Sequence, residues 1–272
     1  MLKSRDQSLI PFVSLLPFLL IAFGLAWGIL ALFIFQSEFM TTTFGNLTGQ
    51  HPLFFLCVYS PAIAAFIIVL YYRGVNGLML FFSRFFLWRC SSAWYLFIVI
   101  GVPLVFYAGA TIKGTFFENL FPFESMQALF IALLLSAIKG PIEEFGWRGF
   151  ALPLLQRHVT PLLASLIIGV IWGLWHFPAF LLSGTQQSNW SFAPFFLGCI
   201  AISIIATALF NASRGSILLA AFFHFMLMNP IFPDAEPFDS YLLALITFPI
   251  VWFNRKMMFT RKDSIVEIVP QP

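Results

Sequence analysis

Two adjacent carboxylates and an arginine stand in the stretch KGPIEEFGWRGF, residues 139–150, of a chain in which charged residues make up only 9%. Glu144 and Arg148 are four apart, so on a helix they share a face and can pair. In a low dielectric that pair offsets much of each partner's desolvation cost. Glu143 is turned by about 100° from Glu144 and has no helical cation at the same spacing. One carboxylate is then structural and the other is left to face a cavity. Two histidines stand in equally apolar surroundings: His176 in IWGLWHFPAF, and His224 in ILLAAFFHFMLMNP with Asn229 behind it. A charge at mid-membrane costs about 2.5–3.5 kcal/mol on insertion scales, so such groups usually face a bundle interior and have a task. Taken singly, a histidine on an apolar helix is more often a packing residue than a catalyst, and the Glu-Glu-Arg group alone suits a solvated loop about as well. Together they form a water-activating group: a carboxylate base, an imidazole that orients or shares the proton, and donors for an oxyanion. Glu143, His176 and His224 equally match a zinc set with one position open. Both chemistries stay open at this point.

The elements that must position these groups follow from composition. The 272 residues are 60% hydrophobic, with 37 phenylalanines and a mean hydropathy of +0.93. A soluble domain carries about 25% charged residues, so the solvent this chain fits is lipid. A net charge of +3 gives no sign of a nucleic-acid partner. Cys57, Cys90 and Cys199 have no CxxC spacing and read as buried thiols in helices. Apolar runs of about 20 residues predict about eight spanning helices, roughly at 10–35, 52–72, 93–112, 126–157 (long and broken at Gly140-Pro141), 161–182, 191–210, 214–229 and 239–254. Lys3 and Arg5 precede a first run too long for a signal peptide, so a retained anchor is expected. With eight spans every Lys and Arg except Lys113 falls on one side, Lys139 included, which places both termini in the cytoplasm. FFSRFFLWR, 81–89, is basic and amphipathic, and is expected on the inner membrane surface or as an extension of a helix there. Trp88, Trp94, Trp190 and Trp252 lie near span ends as interface anchors.

Depth along the helices brings the polar groups together. Glu143 lies about 21 Å before residue 157, His176 about 22 Å after residue 161, and His224 about 15 Å after Arg214. All three helices meet the same side, so their polar residues fall within one layer.

The residues EEFGWR fit the EExxxR pattern of the CAAX protease and bacteriocin-processing (CPBP, or Abi) family of intramembrane proteases, which includes the type II CAAX prenyl endopeptidases. GFALPLLQRH resembles the usual continuation. The second family motif, FxxxH, reads WGLWH here, with Trp172 as the aromatic and His176 as the histidine. The third, a histidine followed four residues on by Asn or Asp, resembles SRGSILLAAFFHFMLMN, although Asn229 stands five residues after His224 and Met228 holds the fourth position. The resemblance covers about residues 125–230. It implies a helical bundle with an intramembrane cavity open to the cytoplasm, and a catalytic core at 125–230 between N-terminal helices of unassigned role (1–124) and a last span with a cytoplasmic tail (231–272). It implies Glu143 as the water-activating carboxylate and His176 as its partner. It implies His224 with Asn229 as oxyanion donors, and Glu144 with Arg148 as a supporting pair. The family mechanism is described both as glutamate-type and as metal-assisted, so Zn2+ or no cofactor fits equally. The implied partners are membrane lipids and a membrane-associated or lipidated peptide, and a compact chain without targeting extensions is expected in a bacterial cytoplasmic membrane. Two other functions compete: a non-proteolytic immunity or scaffold protein, favoured by the shifted Asn229, and a proton-coupled transporter, disfavoured by the lack of repeated halves.

Overall fold

A computed structural model describes residues 9–117, 123, 125–228 and 231–271. Among these the chain is all-helical, with no strand. Helix α1 is Leu15–Phe35, α2 Ser37–Phe44 and α3 Pro52–Ser83. Helix α4 runs Ser92–Lys113 with a π turn at Phe97–Gly101. Helix α5 is Met126–Ile138, and α6 spans 143–156 with a π turn at Trp147–Ala151. Then come α7 (Pro161–Trp175), α8 (Phe192–Ala212), α9 (Ile217–Leu227), α10 (Phe238–Phe253) and the short α11 (Arg255–Met258).

The boundaries have local causes. Proline occupies the first turn of α3 and α7, where its missing N–H is not needed. Ser125, Thr160 and Ser216 cap the helices that follow them through their hydroxyls, and Ser216 accepts from Leu219 N at 3.0 Å. Small residues let α1 and α3 pack closely: Ala22, Ala26, Ala62, Ala64 and Ala65 are all buried, and Ser60 donates to the Ala22 carbonyl at 2.8 Å. The outer surface keeps large apolar side chains such as Phe35, Phe86 and Phe253 exposed, while Glu143, Glu144, Arg148, Gln156 and Asn211 are buried. Apolar outside and polar inside is the pattern of a chain solvated by lipid. Five described helices are long and apolar enough to cross a membrane, and α9 and α10 are shorter apolar helices beside them. The protein is an integral, multi-pass membrane bundle.

The expected long span at 126–157 is broken as anticipated, into α5, a 3-10 turn at Gly140–Ile142, and α6. Elsewhere the structure departs from the sequence reading. Helix α2 was not anticipated. Helix α3 continues to Ser83, past Gly74 with a positive φ (63°) and beyond the expected end at 72, while the basic stretch from 81 begins as the helix extension that was one of its two expected placements, with Arg84 buried. Cys90 lies outside any helix and is half-buried, unlike the buried Cys57 and Cys199. The final segment is no free tail, because Ile268 and Val269 are buried.

The bundle has two distinct ends. At one, which we term the arginine end, Arg84 donates to the carbonyls of Glu267 (2.6 Å), Ile268 (3.0 Å) and Gly215 (3.3 Å). Beside it, Arg157 donates to the carbonyls of Val266 and Ile10. The Gln156 and Asn211 side chains bond each other and hold Ile265 by both its carbonyl and its N–H. Thus the start of α1, the end of α3, the turns after α6 and α8, and residues 265–269 all meet here. At the opposite end Lys113 pairs with Asp234 at 2.6 Å, Thr115 donates to the Asp234 carbonyl at 2.7 Å, and Gly184 packs against the carbonyl of Leu47.

Candidate active site

Four helices supply the site. Glu143 and Glu144 open α6, and both are buried. Arg148 follows one turn later and is 0% exposed. Trp172 and His176 lie at the end of α7, and His224 near the end of α9. Arg148 Nη1 bonds Glu144 Oε1 at 3.0 Å, the pair that four-residue spacing predicts. The same oxygen receives His224 Nδ1 at 2.8 Å. Arg148 Nη2 donates to Ser203 Oγ on α8 at 3.1 Å. Glu144 is therefore a structural carboxylate that ties α6 to α9, and Arg148 ties both to α8.

Glu143 is held differently. The Trp172 indole N–H donates to its Oε2 at 2.8 Å. Trp172 is also a hub for the other groups. Its carbonyl accepts from His176 Nδ1 at 2.8 Å, which puts the proton on Nδ1 because a carbonyl only accepts. Its ring meets His176 and His224 edge-on, with centroids at 5.3 and 5.4 Å, and the Arg148 guanidinium lies 4.9 Å from its centroid. Bonds at both Nδ1 atoms leave the two Nε2 atoms for a ligand.

Glycines let these elements approach. A Cβ on Gly146 would fall 2.5 Å from the backbone of Pro61 on α3, and one on Gly140 would fall 2.6 Å from His224 Nε2. The two positions seat α6 against α3 and α9 in turn.

Glu143, Trp172, His176 and His224 line one cavity of about 180 Å³, and Glu144 lies behind it. Its walls include Phe54, Phe106, Leu227 and Leu243, and its rim Lys139, Gln186, Gln187, Trp190 and Glu236. Of the six residues singled out from the sequence, five converge, and Asn229 lies outside the described residues. Trp172 as a donor and Ser203 as an arginine partner were not foreseen. The polar Ser203 within an apolar span was the only sequence signal for it. Among the described residues no group of three or more His, Cys, Asp or Glu is placed to hold a metal ion. The Glu143, His176 and His224 set thus does not fit a metal site as it stands.

A family model described as "Rce1-like: Type II CAAX prenyl endopeptidase Rce1-like" matches residues 125–229. "CAAX prenyl protease 2" of Methanococcus maripaludis is 31% identical over 179 residues, a match covering 61% of this chain. It covers 63% of that relative, so the chain spans slightly under two thirds of the relative's length. Glu143, Glu144, Arg148, Trp172, His176 and His224 all lie within residues 125–229, the segment that is similar to the type II CAAX prenyl endopeptidase family.

Proposed function

We propose that the protein is an intramembrane endopeptidase that hydrolyses a peptide bond of a membrane-associated or lipidated chain, with water activated by Glu143. One observation carries this reading. Of two adjacent buried carboxylates, Glu144 is engaged by Arg148 and His224, while Glu143 lines the cavity and keeps one oxygen for water. The family of residues 125–229 supports the same chemistry.

In this mechanism water enters the cavity and gives a proton to Glu143 as its oxygen attacks the scissile carbonyl carbon. The carbonyl π pair moves onto oxygen. A proton on His224 Nε2 donates to that oxyanion, and Glu144 at Nδ1 fixes the ring's orientation. The C–N bond then breaks, and the proton held by Glu143 passes to the leaving amine. His176, anchored by the Trp172 carbonyl, turns its Nε2 to the water and shares the proton. Apolar walls exclude competing water and accept apolar substrate side chains.

Glu143→Gln keeps the side-chain shape and an acceptor for the Trp172 N–H but removes the base. Purified Glu143→Gln and His176→Ala are expected to insert and fold yet to cleave no peptide that the wild type cleaves. Wild-type turnover by either would refute the assignment.

A further inference from the structure

Charge is unevenly distributed over the cavity lining. Glu143, Glu236 and Asp239 contribute carboxyl groups to it, and among the described residues Lys139 is its one Lys or Arg. The lysine follows the last turn of α5, with a backbone (φ −86°, ψ −93°) that has left the helix. The next residue, Gly140, packs so closely on α9 that a Cβ there would fall 2.6 Å from His224 Nε2. Glu143 opens α6 just beyond, after the 3-10 turn at Gly140–Ile142. Four residues span at most about 14 Å even when extended. The Lys139 ammonium and the Glu143 carboxylate therefore serve one short stretch of any bound peptide.

That ammonium has no anionic partner among the described residues, whose ion pairs join Lys113 to Asp234 and both Arg148 and His224 to Glu144. The other two carboxyl groups of the lining, Glu236 and Asp239, hydrogen-bond each other. Lys139 Nζ lies instead 5.3 Å from the centroid of the Phe55 ring, and a Cβ on Gly49 would stand 3.7 Å from it. An aromatic face attracts a cation but does not neutralise it. A half-buried ammonium without a counter-charge is costly, and a bound anion supplies what is missing. From this we infer that Lys139 anchors the substrate through a carboxylate that the peptide carries, at its chain end or on an acidic side chain. The inference rests on the proteolytic reading and adds a specificity-determining residue to it. A lone ammonium acts as a point charge and suits a singly charged carboxylate. Phosphate recognition commonly recruits an arginine fork, and among the described residues no arginine lines this cavity.

The test uses the full chain in detergent and a quenched library of apolar peptides made in matched forms, with a free terminal carboxylate or a terminal amide. A hydrogen bond to a charged group is worth about 10-fold or more in binding. KM for the acids is therefore expected about 10-fold below that for the amides, with similar kcat. Lys139→Met keeps an unbranched stem and should abolish that ratio, while Lys139→Arg should keep it. Equal KM values in the wild type, or a ratio that survives in Lys139→Met, overturns the inference. A merely structural lysine would alter stability without touching the ratio. Amide peptides with one internal glutamate separate the two carboxylate sources. A restored low KM places the carboxylate on a side chain, a KM that stays high places it at the chain end, and either supports the anchor. A second arm needs no cleavage. Fluorescent acid and amide peptides are bound to Glu143→Gln, with and without Lys139→Met, and read by anisotropy. Tighter binding of the acid that disappears with Lys139→Met supports the anchor even if the wild type cleaves nothing, a result that would sink the proteolytic function alone. Equal binding of acid and amide, together with Lys139-dependent binding of a water-soluble short-chain phosphatidylglycerol, would assign the ammonium to a lipid and overturn the inference.

Discussion

Replacing Trp172 by phenylalanine, the aromatic that the motif usually carries, isolates one atom of the site. The indole N–H donates to Glu143 Oε2 at 2.8 Å within a buried setting. Phenylalanine keeps a ring near His176, His224 and the Arg148 guanidinium but leaves that oxygen without its donor. A hydrogen bond to a charged group contributes about 1.5–3 kcal/mol net. If the bond holds the carboxylate in its reactive orientation, its loss lowers kcat by about 10- to 150-fold, at about 1.4 kcal/mol per tenfold. KM should change little, because the donor touches the base and not the substrate. The smaller ring also costs packing, on the order of 2 kcal/mol for the atoms removed. Trp147→Phe is the control. Trp147 is 1% exposed, its indole nitrogen has no partner, and it does not line the cavity. It should lose similar thermal stability with a rate close to wild type. Single-turnover cleavage and thermal unfolding of both variants check the pair. Wild-type kcat in Trp172→Phe, or an equal rate loss in Trp147→Phe, would show that the N–H does not position Glu143.

Two further predictions concern other parts of the cavity. Gly140→Ala places a methyl group 2.6 Å from His224 Nε2 and 2.7 Å from Met228 Sδ. Because Glu144 anchors that imidazole, the variant should lose activity along with about 1–3 kcal/mol of stability from overpacking, read by cleavage rate and melting temperature. At the rim, burial first, and then the neighbouring Asp239 carboxyl, push Glu236 up from the usual 4.5 to about 8. The folded protein thus holds a proton that the unfolded chain releases, so this stabilising contribution is complete below about 4.5 and is lost as pH rises toward about 8. The melting temperature should decline across that window in the wild type and decline less in Glu236→Gln. Parallel curves would contradict the assignment.

The site was legible where chemistry is encoded by local spacing. Four-residue separation gave the Glu144–Arg148 pair, and the one-residue offset of Glu143 gave a carboxylate pointing elsewhere, because helical periodicity fixes both. Cost also spoke: His176 and His224 stand out because polar groups among apolar ones need a reason. What stayed hidden depends on three-dimensional proximity. Nothing near Trp172 in the sequence tells its N–H to seek Glu143, 29 residues away, and Ser203 reads as a small residue within an apolar helix. Five of the expected spans, those of α1, α3, α4, α7 and α8, were found by hydropathy. Helix α2, with three threonines and one glutamate in eight residues, falls below any spanning threshold.

The strap at residues 265–269 bears on the order in which this protein assembles. Arg84 leaves the ribosome long before its acceptors at Glu267 and Ile268, which stand 183 and 184 positions further along the chain. Until those carbonyls exist, two guanidinium groups must remain hydrated at the membrane surface while the intervening helices are already being inserted. Closure of that surface is therefore a late event, and the polypeptide passes through a stage in which its helices are threaded but its base is still wet and unlocked.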